Sequence, residues 1–248
     1  MPTAPEILWP PCPVPPRLSV GEAHGWCAAL DRVGGELADL LGSLSDDERT
    51  RAQRLHFPVN RRRYAVARSL LREILACYLG VRPVDLRFAY GPNGKPELRE
   101  PGAGRDLQFN LSHSGALALF ALAWRRPVGV DLEEIRPIEN IDTIAARYFV
   151  PAEAELLQQI EPGRRCETFY QLWTQHEARV KARGTHLDDT LPASSDSRRP
   201  WAGSGQPFAE QAWHVILLQP AVGYAAAVAF AEGDPRLHVY EWVPKTAP

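Results

Sequence analysis

The chain has 248 residues, 45% hydrophobic and 23% charged, an ordinary globular composition that suits one large domain or two modest ones. A formal net charge of −2 excludes a polyanion binder driven by overall charge, so any hold on phosphate has to come from local clusters. No apolar run approaches the roughly 20 residues that span a bilayer. The four cysteines (Cys12, Cys27, Cys77, Cys166) show no CxxC pair or zinc spacing, which predicts free thiols in a reducing compartment.

Residues 1–16 are rich in proline and lack the basic and apolar regions of a secretory signal; they predict an extended arm laid across the body through Ile7, Leu8 and Trp9. Ser45 is a natural N-cap, because Asp46, Asp47 and Glu48 follow it where negative charge suits the helix dipole. Val66, Leu70, Leu71, Ile74, Leu75 and Tyr78 recur at helical spacing and predict a helix over 61–79, ended by Gly80. Tyr90-Gly-Pro-Asn-Gly-Lys-Pro reads as a turn-rich loop. Strands are predicted over 109–112, 116–124 and 128–133. Helices follow at 140–148, 151–160 and 166–183, then a flexible Pro/Ser/Gly-rich insertion at 192–207. The tail returns to strands at 213–218, 224–230 and 237–242. Helices and antiparallel-looking strands in both halves predict an α+β architecture of two related lobes.

Four features could carry chemistry. Arg49, Arg51, Arg54, Arg61, Arg62, Arg63, Arg68 and Arg72 form a local basic excess, which suits either a solvated helix face or a phosphate clamp. Gly94-Lys95-Pro96 and Asn110-Leu-Ser-His-Ser-Gly offer donors and close backbone approach, without the surround of a serine hydrolase elbow. In Val128-Gly-Val-Asp-Leu-Glu-Glu, strand alternation sends Val128, Val130 and Leu132 one way and Asp131 and Glu133 the other. Such a carboxylate pair is either a solvated polar face or a ligand set for a hard divalent cation such as magnesium. Phe169, Trp173, Glu177 and Lys181 fall on one helical stripe, which is either an anchored catalytic face or an amphipathic helix with one surface ion pair.

Taken in order, the basic helix, Gly-Lys-Pro, Asn-x-Ser-His-Ser, Gly-Val-Asp-x-Glu and Trp-x-x-x-Glu-Ala-x-x-Lys resemble the 4′-phosphopantetheinyl transferases of the Sfp type over residues 45–184. The resemblance implies two similar, pseudo-symmetric α+β lobes, each with helices on a small, mainly antiparallel sheet, and an active site in the cleft between them. The halves would be 1–126, with the proline-rich arm, and 127–248, with the metal site. It further implies transfer of the phosphopantetheine arm of coenzyme A to a serine of an apo acyl or peptidyl carrier protein, with release of 3′,5′-ADP. By the same resemblance Asp131, Glu133 and Glu177 would hold Mg2+, with Glu177 as general base and Lys181 against the pyrophosphate. Gly94, Lys95, Pro96, Ser112 and His113 would hold the adenosine and its 3′-phosphate, with Arg62 or Arg63 assisting.

One position departs from the pattern: the family reads Trp-x-x-Lys-Glu-Ala, and His176 replaces that lysine. Here we expect a histidine beside the metal, acting as an imidazolium when phosphates are bound. The rival reading is a non-catalytic coenzyme A or carrier-binding module descended from such an enzyme. An arginine-rich nucleic-acid binder ranks below both, since only Phe57 and Tyr64 interleave the arginines. The remaining expectations are a cytoplasmic monomer with no membrane and no nucleic-acid partner.

Overall fold

Proline opens and glycine closes the longest helices, and that punctuation sets the architecture. The computed structural model describes residues 8–99, 106–185, 213–231, 233 and 235–243. The expected insertion at 192–207 and Ile7 of the N-terminal arm lie outside the described residues. Strands β1 (Pro11–Cys12), β2 (Glu22–Ala29), β3 (Phe88–Tyr90), β4 (Pro96–Leu98), β5 (Leu107–Ser114), β6 (Leu117–Trp124) and β7 (Val128–Glu134) come first. They are followed by β8 (Trp213–Leu218), β9 (Tyr224–Ala231) and β10 (Arg236–Trp242). Helices α1 (Leu37–Gly42), α2 (Asp46–Gln53) and α3 (Pro58–Leu79) belong to the first half. Helices α4 (Ile141–Tyr148), α5 (Pro151–Gln159) and α6 (Pro162–Arg183) belong to the second.

Helix α3 starts at Pro58, where a missing N–H costs nothing, and ends on Gly80 with φ of 66°, a left-handed cap that suits glycine. Its buried stripe of Val66, Leu70, Leu71, Ile74 and Leu75 packs with Trp26, Leu30, Phe109, Phe120 and Leu122. All of those partners except Leu30 come from a five-stranded sheet ordered β1-β10-β2-β6-β5. The β2–β6 and β6–β5 pairs are antiparallel, whereas β10 runs parallel to both β1 and β2. The C-terminal strand thus crosses back into the sheet of the first half, so a division at 126/127 leaves β10 hydrogen-bonded to the other lobe. Trp9 packs at the edge of the second core cluster, while Leu8 is exposed.

β6 is apolar on both faces because both are covered. Phe120 and Leu122 face α3, and Leu119, Ala121 and Ala123 pack against Val128, Val130, Val228 and Phe230. The latter belong to an antiparallel sheet of order β7-β9-β8. Its outer face is lined by alanine, with Ala227 and Ala229 lying under Ala178 and Ala182 of α6. Contact there is close. A Cβ on Gly129 would meet the Ala178 carbonyl oxygen at 2.1 Å and the Ala182 nitrogen at 2.3 Å, so only glycine lets β7 lie this near the helix. The fold is mixed α+β, as expected, with α3 on the five-stranded sheet and α6 on the three-stranded one.

The basic stretch resolves mainly into structure. Glu48 caps α2 by accepting from the Ser45 N–H at 2.9 Å, and it is fully buried between two arginines of α3. Arg68 Nε donates to its Oε1 at 2.7 Å and Arg72 Nε to its Oε2 at 2.8 Å. Both guanidiniums also lie over the Phe88 ring. Burial raises the Glu48 pKa, but the two arginines and the Ser45 N–H outweigh it and hold the carboxyl below its usual range. Neither a solvated face nor a phosphate clamp describes Arg68 and Arg72: they neutralise a buried acid.

Candidate active site

The acidic strand meets β5 edge to edge, where side chains take the place of a backbone ladder. Residues 110, 112 and 114 share one face of β5, opposite Phe109. Asn110 Oδ1 accepts from the Val130 N–H at 2.9 Å, and Ser112 Oγ donates to Asp131 Oδ1 at 3.0 Å. Ser114 Oγ donates to Glu133 Oε2 at 3.0 Å and accepts from the Glu134 N–H at 3.1 Å. The motif Asn-x-Ser-His-Ser therefore has a structural use that its donors alone do not announce: three alternate positions fasten β7.

Helix α6 brings the other half of the site. Phe169 stacks on Trp173, and both join Phe149 in a separate aromatic core that anchors the first turns. Further along the stripe, Lys181 Nζ reaches Asp131 Oδ1 at 2.5 Å and Ser112 Oγ at 3.1 Å. Asp131 is only 2% exposed, and its Oδ2 is buried with no hydrogen-bond partner among the described residues. Burial, then the Asp131 charge, raise the Glu133 pKa; the Ser114 hydrogen bond and Lys181 lower it in part, and Glu177 raises it again. Asp131, Glu133 and Glu177 are thus close enough to act on one another. They are not closed on a point, however: among the described residues no three His, Cys, Asp or Glu side chains group tightly enough to cage a metal ion. Unneutralised carboxylates repel, and Lys181 and Ser114 draw two of them towards their own partners.

The donor set nonetheless fits a hard cation. Oxygen-only side chains, a buried oxygen with no partner and mutual destabilisation of the acids are what a divalent ion would relieve.

Beside the acids lies a cavity of about 230 Å³, lined by Gly94, Lys95, Pro96, Asn110, Glu177 and Lys181. Five of these six were expected at the site from the sequence. The loop carrying the first three is the turn of the β3–β4 hairpin, closed by the Gly91 N–H on the Lys95 carbonyl, with Gly94 at φ 75°. That loop also clamps the end of α6. Asn93 Nδ2 donates to the Gly184 carbonyl at 2.8 Å, and Lys95 Nζ donates to Ala182 at 3.1 Å and Val128 at 3.3 Å. Burial pushes the Lys95 pKa down to about 8. Asn93 and Thr185 also line the cavity, and sequence reasoning missed both. Asn93 was within reach, lying two residues before Lys95 in a turn already singled out.

His113 is exposed and does not line the cavity. Protein packed around the ring and, second, the Lys181 ammonium hold its imidazole below the usual histidine value. Arg62 and Arg63 stand apart from the cavity. Arg62 donates to the carbonyls of Val33 and Gly35, and Arg63 pairs with Asp31 through two bonds.

His176 requires a correction. It does not lie beside Asp131: it is 8% exposed, stacked on Phe149 at 5.2 Å, with Nε2 2.8 Å from Glu153 of α5. One residue is 100° of helix rotation, so a neighbour of Glu177 faces a different element. The departure from the family pattern thus falls on the contact between α5 and α6 rather than on the carboxylates.

Comparison with known proteins gives two family matches and several relatives. Residues 127–229 match a model described as the 4′-phosphopantetheinyl transferase superfamily, and residues 33–124 match one described as 4′-phosphopantetheinyl transferase, N-terminal. The chain is 38% identical over 237 residues to the 4′-phosphopantetheinyl transferase HetI of Nostoc sp., covering 94% of this chain and 95% of the relative. It is 34% identical over 151 residues to the 4′-phosphopantetheinyl transferase psf-1 of Bacillus pumilus, covering 60% and 61%. With the 4′-phosphopantetheinyl transferase AcpT of Salmonella typhi the identity is 38% over 113 residues, covering 43% and 57%.

Proposed function

Because the chain belongs to the 4′-phosphopantetheinyl transferase superfamily, we propose that it moves the phosphopantetheine arm of coenzyme A onto a serine of an apo acyl or peptidyl carrier protein. We assign it to the Sfp type, with Mg2+ as the metal. The observation that carries the reading is the buried Asp131 Oδ2, without a hydrogen-bond partner among the described residues, close to Glu133 and to the Lys181 that lines the cavity with Glu177.

In this reading the carrier serine Oγ bonds to the β-phosphorus of coenzyme A. The bond from that phosphorus to the bridging oxygen breaks, and 3′,5′-ADP leaves. Glu177 takes the serine proton, directly or through a water, and Lys181 meets the charge that grows on the departing phosphate. Asp131, Glu133 and Glu177 would hold the divalent cation, which supplies Lewis-acid charge to the pyrophosphate oxygens. Lys181 already touches Asp131, so the cation-holding strand and the phosphate-facing lysine are positioned together. Gly94, Lys95 and Pro96 form the cavity wall proposed for the adenosine end, with Ser112 and His113 beyond it. Arg62 and Arg63 would assist only by exchanging their present partners. Both halves of the cleft come from one chain, which favours a monomer. No disulfide forms among the described residues, in keeping with a cytoplasmic setting. No helix among the described residues is long and apolar enough to cross a membrane.

The test is turnover with coenzyme A, Mg2+ and a panel of apo carrier proteins, weighed intact. One phosphopantetheine per carrier serine and an equal yield of 3′,5′-ADP are expected, stopped by EDTA and restored by Mg2+. Asp131→Ala or Glu177→Gln lowers turnover by about 100-fold or more. Binding of coenzyme A without turnover on any carrier would favour the non-catalytic module, and transfer without metal would sink the carboxylate assignment.

A further inference from the structure

We propose that Ser114 is the positioning residue for Glu133: it fixes the direction of that carboxylate and, through it, the metal-holding face of β7. The proposal rests on the transferase reading above and extends it to a residue that touches neither coenzyme A nor the carrier serine.

The geometry is specific. A single hydroxyl brackets two successive residues, donating to the Glu133 side chain at 3.0 Å and accepting from the Glu134 backbone at 3.1 Å. A serine Oγ has one proton and two lone pairs, so accepting from the backbone orients the proton it donates. The carboxylate and its own strand are therefore held by one atom, which leaves Glu133 little freedom to swing independently of β7.

Glu133 needs such a restraint. Burial, Asp131 and Glu177 all disfavour its charge, and among the described residues the Ser114 hydrogen bond and Lys181 act in the other direction. Glu133 is half-buried, so without the hydroxyl the cheapest relief is rotation towards water and away from the other acids. The Lys181 ammonium is bonded to Asp131 and Ser112, so it does not take over the role. Asn110 pins β7 four residues upstream through the Val130 N–H, which keeps the strand in register when Ser114 is altered. Loss of Ser114 therefore loosens one carboxylate and leaves the sheet contact in place.

The test uses the full chain, with Mn2+ binding read by electron paramagnetic resonance, steady-state transfer and thermal melting. Ser114→Ala should weaken Mn2+ by about 10–100-fold, the usual consequence of removing an outer partner of a metal ligand. The kcat should fall by a comparable factor while KM for coenzyme A stays within about twofold, because the residue acts on a ligand and not on the cofactor. The melting temperature should move by only about 2–4 °C, as for one half-buried hydrogen bond in a chain of this size. Ser114→Thr keeps the hydroxyl and should restore Mn2+ binding. On a Glu133→Gln background, Ser114→Ala should add no more than about twofold, since the two residues act as one unit. Unchanged Mn2+ affinity in Ser114→Ala, or an equal loss on both backgrounds, overturns the proposal alone. Unweakened Mn2+ binding by Glu133→Gln overturns the metal reading and the proposal with it.

Discussion

Helices α3 and α6 are built alike and used differently. Each has 22 residues, starts on proline and ends on a glycine in the left-handed region, Gly80 in one and Gly184 in the other. Each lays one face on a small sheet. On α3 each buried charge has an opposite partner: Arg68 takes one oxygen of Glu48 and Arg72 the other. On α6 one lysine stands among three acids. Lys181 satisfies one oxygen of Asp131, the other oxygen stays unpartnered, and Glu133 remains strained by its acidic neighbours. Burying charge is costly in both places. A cluster in which every charge is paired holds a fold together, whereas an acid-rich one beside a cavity is poised for an external cation and phosphate.

Breaking the paired cluster on α3 should have the larger effect on stability. Glu48→Gln leaves two guanidiniums buried against a neutral amide and should cost about 3–5 kcal/mol of unfolding free energy, measured by urea titration. Loss below about 1 kcal/mol would mean that Arg68 and Arg72 find other acceptors. Next comes the packing that sets the acid-rich cluster. Gly129→Ala places a methyl against the backbone of α6 at Ala178 and Ala182, so the helix has to move away from β7. Overpacking of this kind costs about 1–3 kcal/mol, and here it also displaces Glu177 and Lys181, which precede those alanines. Turnover should fall by more than the stability loss explains, at temperatures where the variant is fully folded. Normal turnover in a folded Gly129→Ala would show that the approach of α6 to β7 does not set the site.

Much of this contrast was legible in the sequence, for physical reasons. Helical period and punctuation marked both long helices, although α3 begins at Pro58 and α6 at Pro162, a few residues before the apolar pattern. Strand alternation placed Val128, Val130 and Leu132 in the core and Asp131 and Glu133 on the opposite face. Strand β2 escaped notice, since Glu22–Ala29 is buried nearly throughout and shows no alternation to read. The parallel pairing of β2 with β10 joins chain ends more than 200 residues apart, and nothing local encodes it. Helix α1 is too short to show a period. At the site, residue types pointed to the acids and Lys181, but direction had to come from packing. His176 turns to Glu153, Arg68 and Arg72 turn to Glu48, and Ser114 serves a neighbouring strand. A stricter use of period two on 110, 112 and 114 would have shown that these three act together.

The smallest expected effect separates the two duties of Lys95. Its ammonium donates to the carbonyls of Val128 and Ala182 and so ties the loop to the end of α6, while the same side chain lines the cavity. Burial lowers its pKa from 10.5 to about 8. Above that value the neutral amine still has two N–H groups, enough for both carbonyls, and it loses the third donor and the charge. The sign for stability follows from proton counting. Between about pH 8 and 10.5 the unfolded chain binds the proton that the folded chain has released, so this residue's contribution to stability rises with pH. The sign for binding is opposite, because an anionic ligand in the cavity prefers the ammonium present below about pH 8. Coenzyme A affinity should thus weaken by about tenfold as pH rises through that value, the worth of one charge-assisted hydrogen bond. In Lys95→Met this limb should vanish, while the titrations of coenzyme A itself remain in both proteins and cancel in the comparison. Calorimetric binding curves for the two proteins between pH 7 and about pH 9.5, below the ordinary lysine value, make the measurement. Parallel curves would leave Lys95 as a clamp on α6 and remove it from the cofactor's contacts.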